Sequence, residues 1–382
     1  MIGVVLILKK RIMILMLAIW IAAVPALASG TVCSAEAMIL YEPYSGTVLA
    51  EKNADAEMLI ASTTKIMTAL IVLEHCDVSE PVCPTAEQIC VEGSAMYLRA
   101  GETYTVEDLL AGLLLASGND AAVVLAEHTA GSVEAFASLM NEKCAALGLH
   151  HTHFVNPHGL DAPEHYSSAR DLAVITAEAM KNETFCRLFS APHMTVHGTE
   201  YYNHNKLLNS CEGCIGGKTG YTMAAGRVLV SCAEREGLRL ICVTISDPND
   251  WTDHNALYDE AFADWRFVPL PDPAWSRMLV LSGTAETVAL SCRIPGIPVP
   301  KDTAAEVQTA LPRFVFAPVR AGEQVGSVRV TVDGETVLTE PIFAAEAADA
   351  DASVPLRGRE LMQRGWERYC KYSRYRVYPV YY

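Results

Sequence analysis

Ser62-Thr63-Thr64-Lys65 opens a run, Thr63 to His75, in which Ile66, Ala69, Leu70 and Leu73 fall at amphipathic-helix spacing. Ser62 takes the N-cap position of that helix. Lys65 lies three residues further on, so the two side chains share one face. Two other short strings, each present once, follow it: Ser117-Gly118-Asn119 and Lys218-Thr219-Gly220. The chain around these strings gives the architecture. Met38-Ile39-Leu40-Tyr41 and Thr47-Val48-Leu49 flank a Pro-x-Ser-Gly turn and read as an opening hairpin. Thr105-Val106-Glu107-Asp108 reads as a capping box ahead of a helix running to about Ala116. Asp120 to Thr129, Val133 to Leu147 and Ser168 to Asn182 follow as helices. From Gly217 the pattern changes to strands, Val228 to Ala233 and Leu238 to Ile245, and Asp253 to Trp265 reads as a closing helix. The fold expected is therefore α/β (α+β), with a helical subdomain inserted into an antiparallel sheet.

Serine is a poor nucleophile until its proton is removed. Lys65 serves as base only when neutral, a state favoured by a dry site and a second cation such as Lys218. Ser117 offers a hydroxyl to pass a proton to a leaving amine, and Asn119 an amide to hold a substrate peptide bond. Lys218-Thr219-Gly220 reads as an edge strand whose glycine admits a substrate backbone. Lys218 and Thr219 suit a terminal carboxylate, and the amides of Ser62 and Tyr221 are the candidate oxyanion donors. Competing motifs are thin, with no G-x-S-x-G elbow and no H-E-x-x-H helix in the sequence. His150-His151-x-His153 with His158 is the one histidine cluster with zinc-like composition, and it lacks a carboxylate at helical spacing, so no metal is expected.

The chain has 382 residues, 51% of them hydrophobic and 19% charged, which is ample for a sizeable core. A net charge of -16 argues against a nucleic-acid partner. Lys9-Lys10-Arg11, the apolar stretch Ile12 to Val24 and the Ala26-x-Ala28 pattern read as a signal peptide, 1–28, which places the remainder outside the cytoplasm. Twelve cysteines are spaced irregularly. Cys232 and Cys242 lie in apolar strands and are expected to behave as small hydrophobes. Cys211-Glu212-Gly213-Cys214 stays open between a disulfide, half a metal site and two free thiols. The expected division is a catalytic domain at 33–268, a β-rich domain at 269–343 with an Asp333-Gly334 hairpin, a linker at 344–356 and a basic-aromatic tail at 357–382. In that tail Leu361, Met362, Trp366, Tyr369 and Cys370 share a helical face suited to an anionic membrane surface.

The three strings resemble those of penicillin-binding proteins. Ala61 to Ala69, Ser117 to Ala122, Phe154-Val155-Asn156-Pro157-His158-Gly159-Leu160, His165 to Asp171 and Lys218 to Thr222 together resemble the D-alanyl-D-alanine carboxypeptidases of serine peptidase family S11. The resemblance covers roughly residues 36 to 345. It implies a β-lactamase/penicillin-binding-protein-like catalytic domain followed by a small all-β domain. Ser62 would be acylated by a peptidoglycan stem peptide with loss of D-alanine, and water would hydrolyse the acyl-enzyme. Lys65 would be the base, with Ser117, Asn119, Lys218, Thr219, Gly220 and Tyr221 binding substrate and relaying protons, without a cofactor. β-Lactams would acylate Ser62. Many relatives carry an arginine after the last strand of the catalytic sheet, whereas Ser246 to His254 contains no basic residue but histidine, a pattern similar to the sporulation-associated branch. An endopeptidase would use the same residues. A β-lactamase would need a carboxylate like Glu178 in Glu178-Ala179-Met180-Lys181-Asn182, and a non-catalytic wall-binding homologue would be free to lose the serine and both lysines.

Overall fold

The computed structural model describes residues 33–270 and 277–351; the expected signal peptide and the basic-aromatic tail lie outside the described residues. Two compact units emerge among the described residues, one of 33–268 with 296–302, the other of 269–270, 277–295 and 303–351.

In the first unit, β1 (Ala37–Glu42) and β2 (Thr47–Lys52) form the opening hairpin. Its turn is closed by the buried Glu42 carboxylate, which accepts from the amides of Tyr44 and Ser45. A 3-10 turn, Ala61–Thr64, leads into the helix Lys65–His75. This corrects the N-cap expected at Ser62. The Ser62 side chain makes no cap hydrogen bond, and the turn enters through Ala61 at a positive φ of 47°, so the hydroxyl is turned away from the helix axis.

The short pair β3 (Pro81–Val82) and β4 (Tyr104–Thr105) precedes the helix Val106–Leu114, which starts at the capping box read from Thr105 and Asp108. The helices Asn119–Ala130 and Val133–Leu147 follow, the latter with the bounds expected. The helix read as Ser168 to Asn182 is two helices. Ser168 caps Ala169–Ala179, and the Asn182 side chain accepts from the amide of Phe185 and starts Glu183–Ser190. The hairpin β5 (His193–Val196) and β6 (Thr199–Tyr202) was not read from the sequence.

The chain then returns to the sheet as β7 (Cys214–Thr222), β8 (Gly226–Arg235) and β9 (Leu238–Ile245). The order is β2-β1-β9-β8-β7, antiparallel throughout, with β7 at the edge. Alternation divides its faces. Val228, Val230, Cys232, Ile241 and Val243 pack into the core with the helices. On the opposite face the Ser231 hydroxyl meets His254 and Tyr258 of the closing helix Asp250–Asp264. Each fully buried aliphatic side chain contributes about 1.5–3 kcal/mol over exposure. The eleven described cysteines are free thiols, Cys211 and Cys214 among them, and Cys232 and Cys242 sit wholly buried.

Beyond the closing helix, β10 (Trp265–Pro269) and β13 (Gly296–Pro300) pair with each other; a Cβ on Gly296 would lie 2.3 Å from the Phe267 ring. Residues 296–302 thus belong to the first unit although they lie within the stretch read as β-rich. The second unit carries β11 (Arg277–Leu281), β12 (Thr287–Ser291), β14 (Ala305–Ala310), β15 (Phe314–Phe316), β16 (Gln324–Val332) and β17 (Glu335–Ala344), in a sheet ordered β14-β16-β17-β12-β11-β15. Asp333 and Gly334, both at positive φ, make the β16–β17 turn. Residues 344–350, read from the sequence as the start of a linker, are tied into this unit. Ala344 ends β17, and Ala348 and Ala350 form bridges with Val319 and Gly283.

Candidate active site

The turn that carries Ser62 is held from two sides. Gly159, at φ +87°, lies so close beneath it that a Cβ would sit 1.9 Å from the Ala61 carbonyl oxygen. From the other side Gly220 of β7 approaches, and a Cβ there would stand 3.0 Å from the Ser62 amide nitrogen. Ser117 is also at a positive φ, 57°. Non-glycine residues seldom adopt this region, and here two of them, Ala61 and Ser117, flank one site.

Lys65 is wholly buried. Its Nζ lies 2.9 Å from Ser62 Oγ, 2.7 Å from Asn119 Oδ1 and 2.6 Å from the His158 carbonyl oxygen. Asn119 is oriented by its own Nδ2, which donates to the Glu92 carbonyl at 2.6 Å. Oδ1 and the His158 carbonyl can only accept. A neutral amine has two N–H groups and one lone pair, so the two acceptors take the N–H groups and the lone pair is left for the Ser62 hydroxyl proton. Burial, and then the neighbouring Lys218 charge, push the Lys65 pKa well below the ordinary lysine range, with Asp120 opposing. Geometry and electrostatics both favour the neutral amine.

Lys218, on β7, is buried and its Nζ lies 3.0 Å from Ser117 Oγ and 2.8 Å from the Thr219 carbonyl. Burial lowers its pKa to about 7. The Asp120 carboxylate oxygens take the amides of Met96 and Leu98 and so hold the loop beyond Gly93. Thr222 Oγ1 donates to Asp161 and ties the end of β7 to the loop after Gly159.

Of the residues expected, Ser62, Lys65 and Asn119 form one hydrogen-bonded group, and Ser117 with Lys218 forms a second. Gly220 lies against Ser62. Thr219 joins through its carbonyl, and Tyr221 stands exposed at the end of the strand. One end of the Asn119 amide is on Lys65 and the other on the Glu92 carbonyl, which leaves one N–H and one lone pair free of those two contacts.

Sequence reasoning missed the support beneath. His158 acts through its backbone carbonyl, which leaves no side-chain signature. Asn156 Oδ1 accepts from the amides of Gly159 and His158 and shapes that turn. His165 accepts from the Val155 amide at Nδ1, so its Nε2–H donates to Thr64 Oγ1; burial keeps it neutral, with a pKa of about 4. The family-like strings Phe154 to Leu160 and His165 to Asp171 contained these residues without revealing their roles. The histidines weighed as zinc ligands diverge: His151 faces Glu57, His153 donates to the Glu164 carbonyl, and His158 Nδ1 accepts from Leu160. The Glu178 carboxylate weighed for a β-lactamase pairs with Lys143 and Lys181. In the segment lacking the arginine, His254 is buried between Ser231 and Thr244.

The sequence matches the model of the family described as D-alanyl-D-alanine carboxypeptidase, peptidase S11, over residues 25–249. It is 31% identical over 333 residues to the D-alanyl-D-alanine carboxypeptidase DacF of Bacillus subtilis, covering 82% of this chain and 85% of that protein. It is 32% identical over 338 residues to DacC of Escherichia coli, covering 82% and 84%. The solved structure of penicillin binding protein 5 from Haemophilus influenzae matches with a TM-score of 0.69 at 29% identity, covering 83% of this chain and 98% of that one.

Proposed function

Because this chain belongs to peptidase family S11 and is a serine D-alanyl-D-alanine carboxypeptidase, we propose that Ser62 is its nucleophile, Lys65 its base and Ser117 its proton relay. Ser62 Oγ attacks the carbonyl of the penultimate D-alanine of a peptidoglycan stem peptide while its proton passes to Lys65 Nζ. The amides of Ser62 and Tyr221 receive the developing oxyanion, a contribution that elsewhere is worth about 10²–10³ in rate for one donor. The proton reaches the leaving D-alanine amine through the Ser117 hydroxyl, and water then hydrolyses the Ser62 ester. Lys218 and Thr219 receive the terminal carboxylate, whose charge favours the protonated form of Lys218 on binding.

The observation that carries this reading is the set of three contacts at Lys65 Nζ: two obligate acceptors and one hydroxyl, around a buried amine. Purified enzyme should release D-alanine from a pentapeptide stem and form a stable adduct with penicillin, and Ser62→Ala should do neither. D-Alanine release that persists in Ser62→Ala would refute the assignment. A cross-linked dimer offered beside the pentapeptide separates carboxypeptidase from endopeptidase activity, which use the same residues.

The work is placed outside the cytoplasm by the signal peptide read at 1–28, with the tail at 357–382 resting on the membrane surface and the β-rich unit as spacer. No helix among the described residues is long and apolar enough to cross a membrane. Deleting 357–382 should abolish sedimentation with anionic vesicles while D-alanine release from a soluble peptide is kept; unchanged sedimentation would remove the membrane role.

A further inference from the structure

Just before β1, Cys33 and Ser34 meet the corner between β9 and the closing helix in a group of side chains that the reaction does not use. The thiol of Cys33 and one oxygen each of Asp247 and Asp253 lie within 4.8 Å of one another. Asp247 is wholly buried and Asp253 nearly so. Ser34 stands between them, its Oγ 2.8 Å from Asp247 Oδ1 and 2.7 Å from Asp253 Oδ2, with its amide donating to Asp253 Oδ2 at 2.6 Å. The Asn249 amide donates to Asp247 Oδ1 at 3.0 Å.

The two carboxylates at this corner have no cation against them: the nearby Lys52 ammonium is taken by the carbonyls of Cys33 and Ala35. One hydroxyl carries one proton, so Ser34 Oγ can satisfy only one of the two oxygens it touches. Asp247 Oδ2 is buried and accepts no hydrogen bond. The side chains that reach the pair, Cys33, Ser34, Thr244 and Asn249, carry no positive charge. Three residues from Asp253 the fold does supply a cation, but it goes elsewhere: Arg227 meets Asp250 through two hydrogen bonds. Buried carboxylates with no cation are costly.

We propose that Cys33, Asp247 and Asp253 bind a borderline divalent transition-metal ion, zinc in the first instance, which fastens the segment leading into β1 to the β9 corner. Tetrahedral zinc with bonds of about 2.0–2.3 Å sets its ligand atoms about 3.3–3.8 Å apart, so from separations of at most 4.8 Å the group closes by up to about 1–1.5 Å on binding. The thiol excludes magnesium and calcium, which take oxygen ligands, and the mixed sulfur and carboxylate set suits zinc. Ser34 Oγ or a water completes the fourth position. On binding, the Cys33 S–H proton leaves to solvent as the sulfur–metal bond forms. The same corner backs the active-site edge: the Asp247 amide donates to the Arg227 carbonyl, and Arg227 pairs with Tyr221 across β7 and β8.

The test is cobalt and zinc titration of the exported full chain, purified reduced and without chelator. Wild type should take up one equivalent of cobalt with a thiolate-to-cobalt charge-transfer band, displaced by zinc. Its Tm should rise by about 5–10 °C at a free zinc concentration about 100 times Kd. Cys33→Ser should lose the band, and Asp253→Asn should bind at least about 100-fold more weakly, the upper end of what removing an outer-shell partner costs. Cys76→Ser, altering the thiol beside Glu80 and His128, should keep the band. Circular dichroism establishes that each variant is folded. No band in folded wild type, a band that survives Cys33→Ser, or one that vanishes in Cys76→Ser overturns the proposal. So does a gain in stability on Asp247→Asn without metal uptake by wild type, the mark of a shared proton.

Discussion

Replacing Gly220 by alanine tests whether the closeness of β7 to the nucleophile turn matters for the chemistry. The added Cβ would lie 2.9 Å from the Ile60 carbonyl oxygen, 3.0 Å from the Ser62 amide nitrogen and 3.1 Å from the Ala61 Cβ. Ordinary contact begins near 3.4 Å, so strand and turn must separate by about 0.5 Å at the Ile60 carbonyl and about 0.4 Å at the Ser62 amide. None of the three atoms belongs to a flexible side-chain tip that could swing away. A misplacement of about 1 Å can cost about 100-fold in rate, and loss of one oxyanion donor costs about 10²–10³. A 0.4 Å opening that moves the Ser62 amide away from Tyr221 should therefore slow acylation by about 10- to 100-fold. Overpacking costs about 1–3 kcal/mol, partly offset by about 0.5–1 kcal/mol from removing glycine's backbone freedom, so stability should fall by no more than about 2.5 kcal/mol. The assay is the rate of acylation by a fluorescent penicillin, beside D-alanine release and a thermal melt. A folded Gly220→Ala enzyme acylated within threefold of the wild-type rate would refute the reasoning, because strand and turn would then not need their present spacing.

Asn119→Asp should place a carboxylate on Lys65, raise its pKa and move the acid limb of the pH–rate profile to higher pH, while Asn119→Ala should lower the rate without that shift; identical shifts in the two would disprove the Lys65–Asn119 coupling. Lys218 titrates at about 7 in the folded protein against 10.5 ordinarily, so the folded state holds fewer protons across that window and the burial penalty is relieved as pH rises. The gain in unfolding free energy between pH 7 and 8.5 should be smaller in Lys218→Met than in wild type, by up to about 1.4 kcal/mol per pH unit; equal gains would show that Lys218 is not depressed. His158 and His165 at about 4 and His254 at about 3 are likewise held neutral by burial, against 6.5 ordinarily. Stability should therefore fall as pH drops below 6.5, by as much as about 4 kcal/mol per unit for three protons, and urea midpoints should show a shallower fall in His254→Gln; an unchanged slope would rule His254 out as a contributor.

The elements with strong local signals were legible in the sequence: the opening hairpin, the capping box at Thr105, the helix Val133–Leu147 and the Asp333-Gly334 turn. Each is decided by residues within a few positions of one another. Ser62 was placed wrongly within its turn because the positive φ of Ala61 depends on Gly159, almost a hundred residues later. The break after Ala179 was hidden because Asn182 reads equally well as a helix end or a new cap. The side chains of the site were found from their motif spacing. Its carbonyl partners, His158 and Glu92, were not, since any residue type offers a carbonyl. Asp247 and Asp253 drew no notice as a pair, because their meeting with Cys33 depends on how β1 and β9 lie together.

The edge position of β7 carries a hazard as well as a use. An unpaired strand edge is a template on which another chain can pair and aggregate, and this enzyme must leave its edge open for a substrate. Several features limit the danger. The strand is interrupted by a register shift between Cys214 and Gly216, contains Gly216, Gly217 and Gly220, and is overhung at Gly220 by the Ala61–Thr64 turn. The turn that presents the nucleophile thus also guards against self-association. Loosening it, as Gly159→Ala would through its clash with Ala61, should produce a protein that is insoluble as well as inactive, and a screen for activity alone would mistake a colloidal failure for a chemical one.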